Sequence, residues 1–186
     1  MPLSQIDEVC ALIVIDMQKG IVALPTVHPV AEITERIAQL AHAFREHALP
    51  VVLVNVAGGA PGRVDSKFNF SPPANWTELI PELDQQPSDY TLTKLQVGAF
   101  YGTALEQILR RRGVTQVLVV GIATGSGVEA TARSAYDHGY HVALIVDAMT
   151  DINPAAHRHS TETVFPRIGE IGSTRDVLAL LQQRKA

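Results

Sequence analysis

Apolar positions along the chain follow two alternating patterns, short unbroken runs and stripes of three- and four-residue steps. Cys10-Ala11-Leu12-Ile13-Val14-Ile15 is an unbroken run, as a parallel strand buried on both faces requires. Val30, Ile33, Ile37, Leu40, Ala41 and Phe44 then recur at helical spacing and predict an amphipathic helix. Pro50 ends that connection, and Val51-Val52-Leu53-Val54 reads as the second strand. Tyr90–Lys94, 117–120 and 142–146 predict three more strands, and 168–171 a short sixth. Thr103 and Glu106 have capping-box spacing and Gly113 closes the segment, which predicts a helix over 104–112. Another is predicted from about 126 to 138, closed by Gly139, and another after Pro154. Ser173 with Asp176 predicts the cap of a last helix carrying Val177, Leu178, Leu180 and Leu181.

Residues 57–89 break this rhythm, with three glycines, five prolines and few periodic apolar positions. They predict a long excursion with one short helix near 78–83, a segment length that usually serves as a lid or an interface. Trp76, Phe68 and Phe70 on it suit either a pocket wall, a subunit contact or packing of the loop onto the domain. Six strands alternating with helices predict a three-layer α/β/α sandwich around a six-stranded, mostly parallel sheet. Without internal repeat, low-complexity tract or linker, residues 1–186 read as one domain.

Composition narrows the function classes. A hydrophobic fraction of 46% and a charged fraction of 18% are those of a globular chain. A net charge of −4 offers no footprint for nucleic acid or an anionic membrane, and Arg110-Arg111-Arg112 complements a helix end. The single cysteine, Cys10, excludes an internal disulfide and suits a reducing compartment. With no leader and no apolar run near ~20 residues, the expected location is cytoplasmic.

In an open parallel sheet the ligand sits beyond the carboxyl ends of the strands, so strand-ending residues carry the chemistry. They are Asp16 with Gln18, Lys94, the turn Gly121-Ile122-Ala123-Thr124-Gly125-Ser126-Gly127, and Asp147. Burial at a strand lip raises a carboxyl pKa and suits Asp16 to proton transfer, although Asp is also a frequent turn cap. Near Asp16, Lys94 would hold the carboxylate charged and neutralise a substrate anion; alone it reads as a surface lysine. The glycine turn presents N–H groups at a helix start, as an oxyanion hole or an anion site does, or simply makes a tight connection. Gly125-Ser126-Gly127-Val128-Glu129-Ala130 also matches a dinucleotide pattern, with Asp147 at ribose-binding distance, but it follows the fourth strand rather than the first.

Three blocks in order resemble the isochorismatase-like hydrolase family, which includes cysteine amidohydrolases such as nicotinamidases. They are Ala11-Leu12-Ile13-Val14-Ile15-Asp16-Met17-Gln18, then Lys94-Leu95-Gln96-Val97-Gly98-Ala99-Phe100-Tyr101-Gly102-Thr103, then Gly121-Ile122-Ala123-Thr124 with Val128-Glu129-Ala130-Thr131-Ala132-Arg133. The resemblance implies Asp16 and Lys94 as catalytic groups, a cis peptide at Ile122–Ala123, and Gly127 at the position of the nucleophilic cysteine. It places Gln18 and the amides of Ala123 and Gly127 with the substrate. Family members acting as isochorismatases also carry glycine there and protonate a vinyl ether from the Asp. Ser126, one position away, reads as a capping residue, and Cys10, about 20 Å from Asp16 at strand rise, as a buried one.

The family's metal site after strand two has no counterpart in Asn55-Val56-Ala57-Gly58-Gly59, and Asp65 has no histidine around it, so neither metal nor cofactor is expected. The resulting expectation is a cysteine-independent hydrolase of a small, anionic metabolite, assembled as a homo-dimer or tetramer. Two alternatives stand beside it: a non-catalytic small-molecule-binding member of the family, and a nucleotide-binding module.

Overall fold

A computed structural model of the chain describes residues 3–65 and 73–184; the aromatic positions Phe68 and Phe70 lie outside the described residues. Six strands form one sheet: β1 (Cys10–Ile15), β2 (Val51–Val56), β3 (Tyr90–Lys94), β4 (Gln116–Ile122), β5 (His141–Thr150) and β6 (Glu170–Gly172). Their spatial order is β3-β2-β1-β4-β5-β6, and every pair is parallel. The order reverses between β1 and β4, where successive connections leave to opposite sides and open a crevice above the strand ends. Asp16 and the glycine turn stand at this crevice because they are the residues that end β1 and β4.

Period two along β1 splits the core. Leu12 and Val14 face α2 (Val30–Glu46) and α6 (Thr174–Gln182), through Ile33, Ile37, Leu40, Phe44, Val177 and Leu181. Ala11, Ile13 and Ile15 face α3 (Leu105–Arg111) and α4 (Glu129–Asp137), through Leu105, Leu109, Ala132 and Ala135. A sheet covered on both faces explains why β1 is unbroken apolar sequence. Two short helices complete the set, α1 (Lys19–Val22) and α5 (Pro154–His159). None of the helices in the described residues is long and apolar enough to cross a membrane.

Local chemistry accounts for most boundaries. Ser173 and Asp176 form the reciprocal capping box of α6, and Asn153 caps α5 through the N–H groups of Ala155 and Ala156. The box predicted at Thr103 and Glu106 does not form. Thr103 Oγ1 accepts from Leu105 N and donates to Ala99 O, whereas Glu106 turns to Arg110 and Tyr140. In the 57–89 excursion the predicted helix shrinks to one 3₁₀ turn, Pro81–Leu83.

The largest departure concerns β5. It runs to Thr150 instead of ending near 146, because its register against β4 jumps between the pairs Val119↔Leu144 and Gly121↔Met149. Asp147 therefore lies within the irregular part of the strand, not at its end. Its Oδ1 accepts from the N–H and Oγ1 of Thr174 at the start of α6, and its carbonyl accepts from Arg36. A carboxylate committed to that helix start is not the ribose partner that the dinucleotide pattern needs.

Candidate active site

Asp16 leaves β1 in the left-handed region, at φ +53. Its N–H still pairs with Val54 O, and its carbonyl accepts from Gln18 N, so the chain turns back at once and the carboxyl stays at the strand lip. Lys94 ends β3, two strands away. A lysine is long enough to cross the end of β2, and its Nζ reaches Asp16 Oδ2 at 2.8 Å with side chains only 2% and 8% exposed. Nζ also donates to Val97 O at 2.9 Å and Gln96 O at 3.4 Å.

Burial pushes the Asp16 carboxyl up from its ordinary value near 3.8 to about 6, against the opposing pull of Lys94. Oδ2 faces the ammonium, while Oδ1 has no hydrogen-bond partner among the described residues. A carboxyl with this pKa and one uncommitted oxygen can hold or release a proton near neutral pH.

The turn after β4 completes the site. The Ile122–Ala123 peptide is cis. Residues Thr124–Val128 form one wide turn in which Ala123 O accepts from both Ser126 N and Val128 N. A Cβ built on Gly127 would stand 3.2 Å from Asp16 Oδ2, 3.4 Å from Lys94 Nζ and 3.0 Å from Ile15 Cγ2. Any side chain at 127 would thus point into the carboxyl–ammonium pair. Above it lies a cavity of about 240 Å³ walled by Ile21, Leu24, Val97, Ile152 and the glycine-rich backbone at 58–60. Asp16, Lys94, Ala123 and Gly127 all line it.

A family model for the isochorismatase domain matches residues 10–176. The chain belongs to the isochorismatase family. It is similar to the isochorismatase family protein YwoC of Bacillus subtilis (strain 168), with 39% identity over 90% of this chain and 92% of the relative. A solved isochorismatase family protein from Burkholderia thailandensis superposes with a TM-score of 0.90 at 38% identity, over 96% of this chain and 98% of that one. More distant is a ureidoacrylate amidohydrolase, RutB of Methylorubrum extorquens, 26% identical over 99% of this chain and 88% of the relative.

Not every expected residue joins this isochorismatase-family site. Gln18 is wholly buried, and its amide is spent on the scaffold. Its side chain accepts from Val56 N at 2.7 Å and donates to Val56 O at 2.9 Å and Trp76 O at 3.1 Å. It imitates a backbone partner for the end of β2 and pins the excursion there, so it is a support of the cavity rather than a group facing it. Trp76 is not among the described lining residues; its carbonyl also accepts from Gly20 N. Ser126 does not cap either helical segment, whose N-cap positions are Ala123 and Val128, but lines the cavity.

Cys10 sits at the opposite end of β1, buried, with its thiol pushed up to about 11 by burial. The segment after β2 does not fit the family's metal. Asn55 is engaged with Thr77 O and Thr93, and among the described residues no cluster of three His, Cys, Asp or Glu stands close enough to hold an ion.

One polar residue of consequence went unseen in the sequence. Asp151, 4% exposed at the end of β5, accepts from Gly125 N at 2.7 Å and from Asn153 N at 2.9 Å. Around it, Thr124 Oγ1 shares a hydrogen bond with His157 Nδ1, and the His157 ring meets that of His28 edge-on at 4.7 Å. Burial, and His28 after it, lower the His157 pKa. Its signal in the sequence is its place just before the Asn153-Pro154 helix start, which a strand ending near 146 hides.

Proposed function

We propose that this isochorismatase-family protein hydrolyses a small enol ether without a cysteine nucleophile, using Asp16 as the proton donor. The observation that carries the reading is Gly127. Its missing side chain would point at Asp16 and Lys94, where a nucleophile and its base would meet, and glycine supplies no nucleophile. What remains is a carboxyl of raised pKa with one unpartnered oxygen.

The chemistry balances without covalent catalysis. Protonated Asp16 gives its proton to the terminal alkene carbon, and the adjacent carbon becomes an oxocarbenium ion. Water adds to that carbon and returns a proton to the Asp16 carboxylate. The resulting hemiketal breaks its bond to the ether oxygen, which takes up the hydroxyl proton, leaving a carbonyl compound and an alcohol. Lys94, paired with Asp16, steadies the carboxylate formed in the first step. The amides of Ala123 and Gly127 are assigned to the substrate oxygen.

Two measurements test this. The kcat/KM profile is expected to fall as pH rises through about 6, because the protonated form of Asp16 is the active one. A profile that rises through the same range would make Asp16 a base and overturn the enol-ether reading. Iodoacetamide is expected to leave turnover unchanged, since Cys10 is buried far from the site and poorly ionised. Complete inactivation of protein that remains folded by circular dichroism would contradict a cysteine-free reaction.

A further inference from the structure

Resting on the hydrolase reading of the same cavity, we infer that Thr131 is a positioning residue for the reaction: its hydroxyl ties the loop that seats Lys94 to the turn that carries Gly127. Lys94 ends β3 and Gly127 follows β4, and β2 and β1 lie between those strands in the sheet. Strand pairing therefore does not join the two parts directly.

Thr131 lies in the first turn of α4 and is wholly buried. A threonine hydroxyl has one hydrogen to give and lone pairs with which to accept. Thr131 Oγ1 donates to Gly127 O at 2.7 Å and accepts from Ala99 N at 3.1 Å. The first bond alone is ordinary, since helical threonines often return to the carbonyl four residues back. The second is not local, because it crosses from α4 to the loop after β3. That loop also rests its backbone on α4: a Cβ built on Gly98 would touch the Cβ, carbonyl carbon and oxygen of Ala130, each at 3.4 Å. Ala99 itself is wholly buried, its N–H held by Thr131 and its carbonyl by Thr103 Oγ1.

The loop anchored at Ala99 is the seat of Lys94. Nζ donates to Val97 O at 2.9 Å and Gln96 O at 3.4 Å, both close before Ala99 in the chain, and meets Asp16 Oδ2 at 2.8 Å. The two carbonyls hold the ammonium in place beside the carboxyl. Without the Thr131 hydroxyl, Ala99 N–H would be buried with no acceptor, and the loop would shift to satisfy it. The carbonyls at 96 and 97 would move with it, and the ammonium would no longer be fixed against Oδ2. Lys94 is the charged group that pulls the Asp16 carboxyl down against burial, so a looser pair leaves that carboxyl harder to ionise. The same change releases Gly127 O, and with it the turn whose amides are assigned to the substrate.

NMR titration of the labelled Asp16 carboxyl carbon, assigned with Asp16→Asn, tests the inference without any substrate. Thr131→Val keeps the shape of the side chain and removes the hydroxyl, and its Asp16 midpoint is expected to lie about one pH unit above wild type. Thr131→Ser keeps the hydroxyl and is expected to titrate like wild type. An unchanged or lowered midpoint in folded Thr131→Val refutes the tie, as does an equal rise in Thr131→Ser. Should Thr131→Val not fold, Thr131→Ala takes its place; a rise is again expected, and its absence refutes the tie.

Kinetics on an enol ether that wild type hydrolyses supply the second readout, taken below both midpoints so that Asp16 carries its proton in each protein. Thr131→Val is expected to lower kcat about tenfold with KM held within about threefold, the pattern of a misplaced reacting group. A loss carried by KM alone, or an unchanged kcat, removes Thr131 from the reaction. A raised midpoint with no turnover of any enol ether by wild type upholds the tie and sinks the hydrolase reading alone.

Discussion

Asp16→Asn is expected to lower kcat about a thousandfold on any enol ether the protein hydrolyses, within the range supplied by a positioned general acid. Asparagine keeps the size of the side chain and an oxygen for Lys94 Nζ, but has no acidic proton to deliver. KM should change much less, because the cavity wall keeps its shape. Steady-state kinetics read the result, with a melting curve to establish that the variant is folded. Retention of kcat within threefold would end the mechanism. The same variant has a signature in stability. Asp16 has a folded pKa raised above its unfolded one, so its contribution is complete below about 3.8 and is lost as pH rises through about 6. Acidifying wild type through that window should therefore stabilise it relative to Asp16→Asn, by equilibrium unfolding at stepped pH.

Gly121→Ala is expected to cost about 4 kcal/mol or more, enough to leave little folded protein. Gly121 pairs with Ile15 in the β1–β4 ladder and holds φ +117, which side chains rarely adopt. A Cβ there would lie 2.1 Å from Ile15 O, 2.7 Å from its N and 2.8 Å from its carbonyl carbon. These are backbone atoms of the central strand, clamped between β2 and β4, and they have nowhere to go. Urea unfolding measures the loss; a value below about 1 kcal/mol would mean that the strand end relaxes and that the close approach is not needed. The close approach brings the β4 turn against the end of β1, which is how Gly127 comes to face Asp16 across the crevice.

The two variants probe different levels of the same design. In the proposed mechanism Asp16 serves because burial by the fold raises its pKa, while Gly121 lets the two strand ends come close enough for that burial. Gln18 and Asp151 belong to the supporting level. One holds the excursion to β2, the other ties the turn to β5, and neither is readable as support from its neighbours in sequence.

Much of this protein is legible in its sequence. Six strands, their alternation with helices, the Ser173–Asp176 cap and the glycines that close α3 and α4 are local signals, because apolar periodicity and capping act within a few residues. Asp16, Lys94 and Gly127 were legible as strand-end residues, since a parallel sheet delivers its strand ends to one edge. Tertiary structure decided which of them are free to act. The register jump in β5 moved the strand end from Asp147 to Asp151, and the pairing of a buried amide turned Gln18 from a substrate group into a brace. It also decided which partners Lys94 and Gly125 N meet. Lys94 and the turn amides look like anion receptors in sequence, but whether a cation or an N–H is available depends on the partners that folding brings from other strands. Here Asp16 and Asp151 arrive first, from β1 and β5.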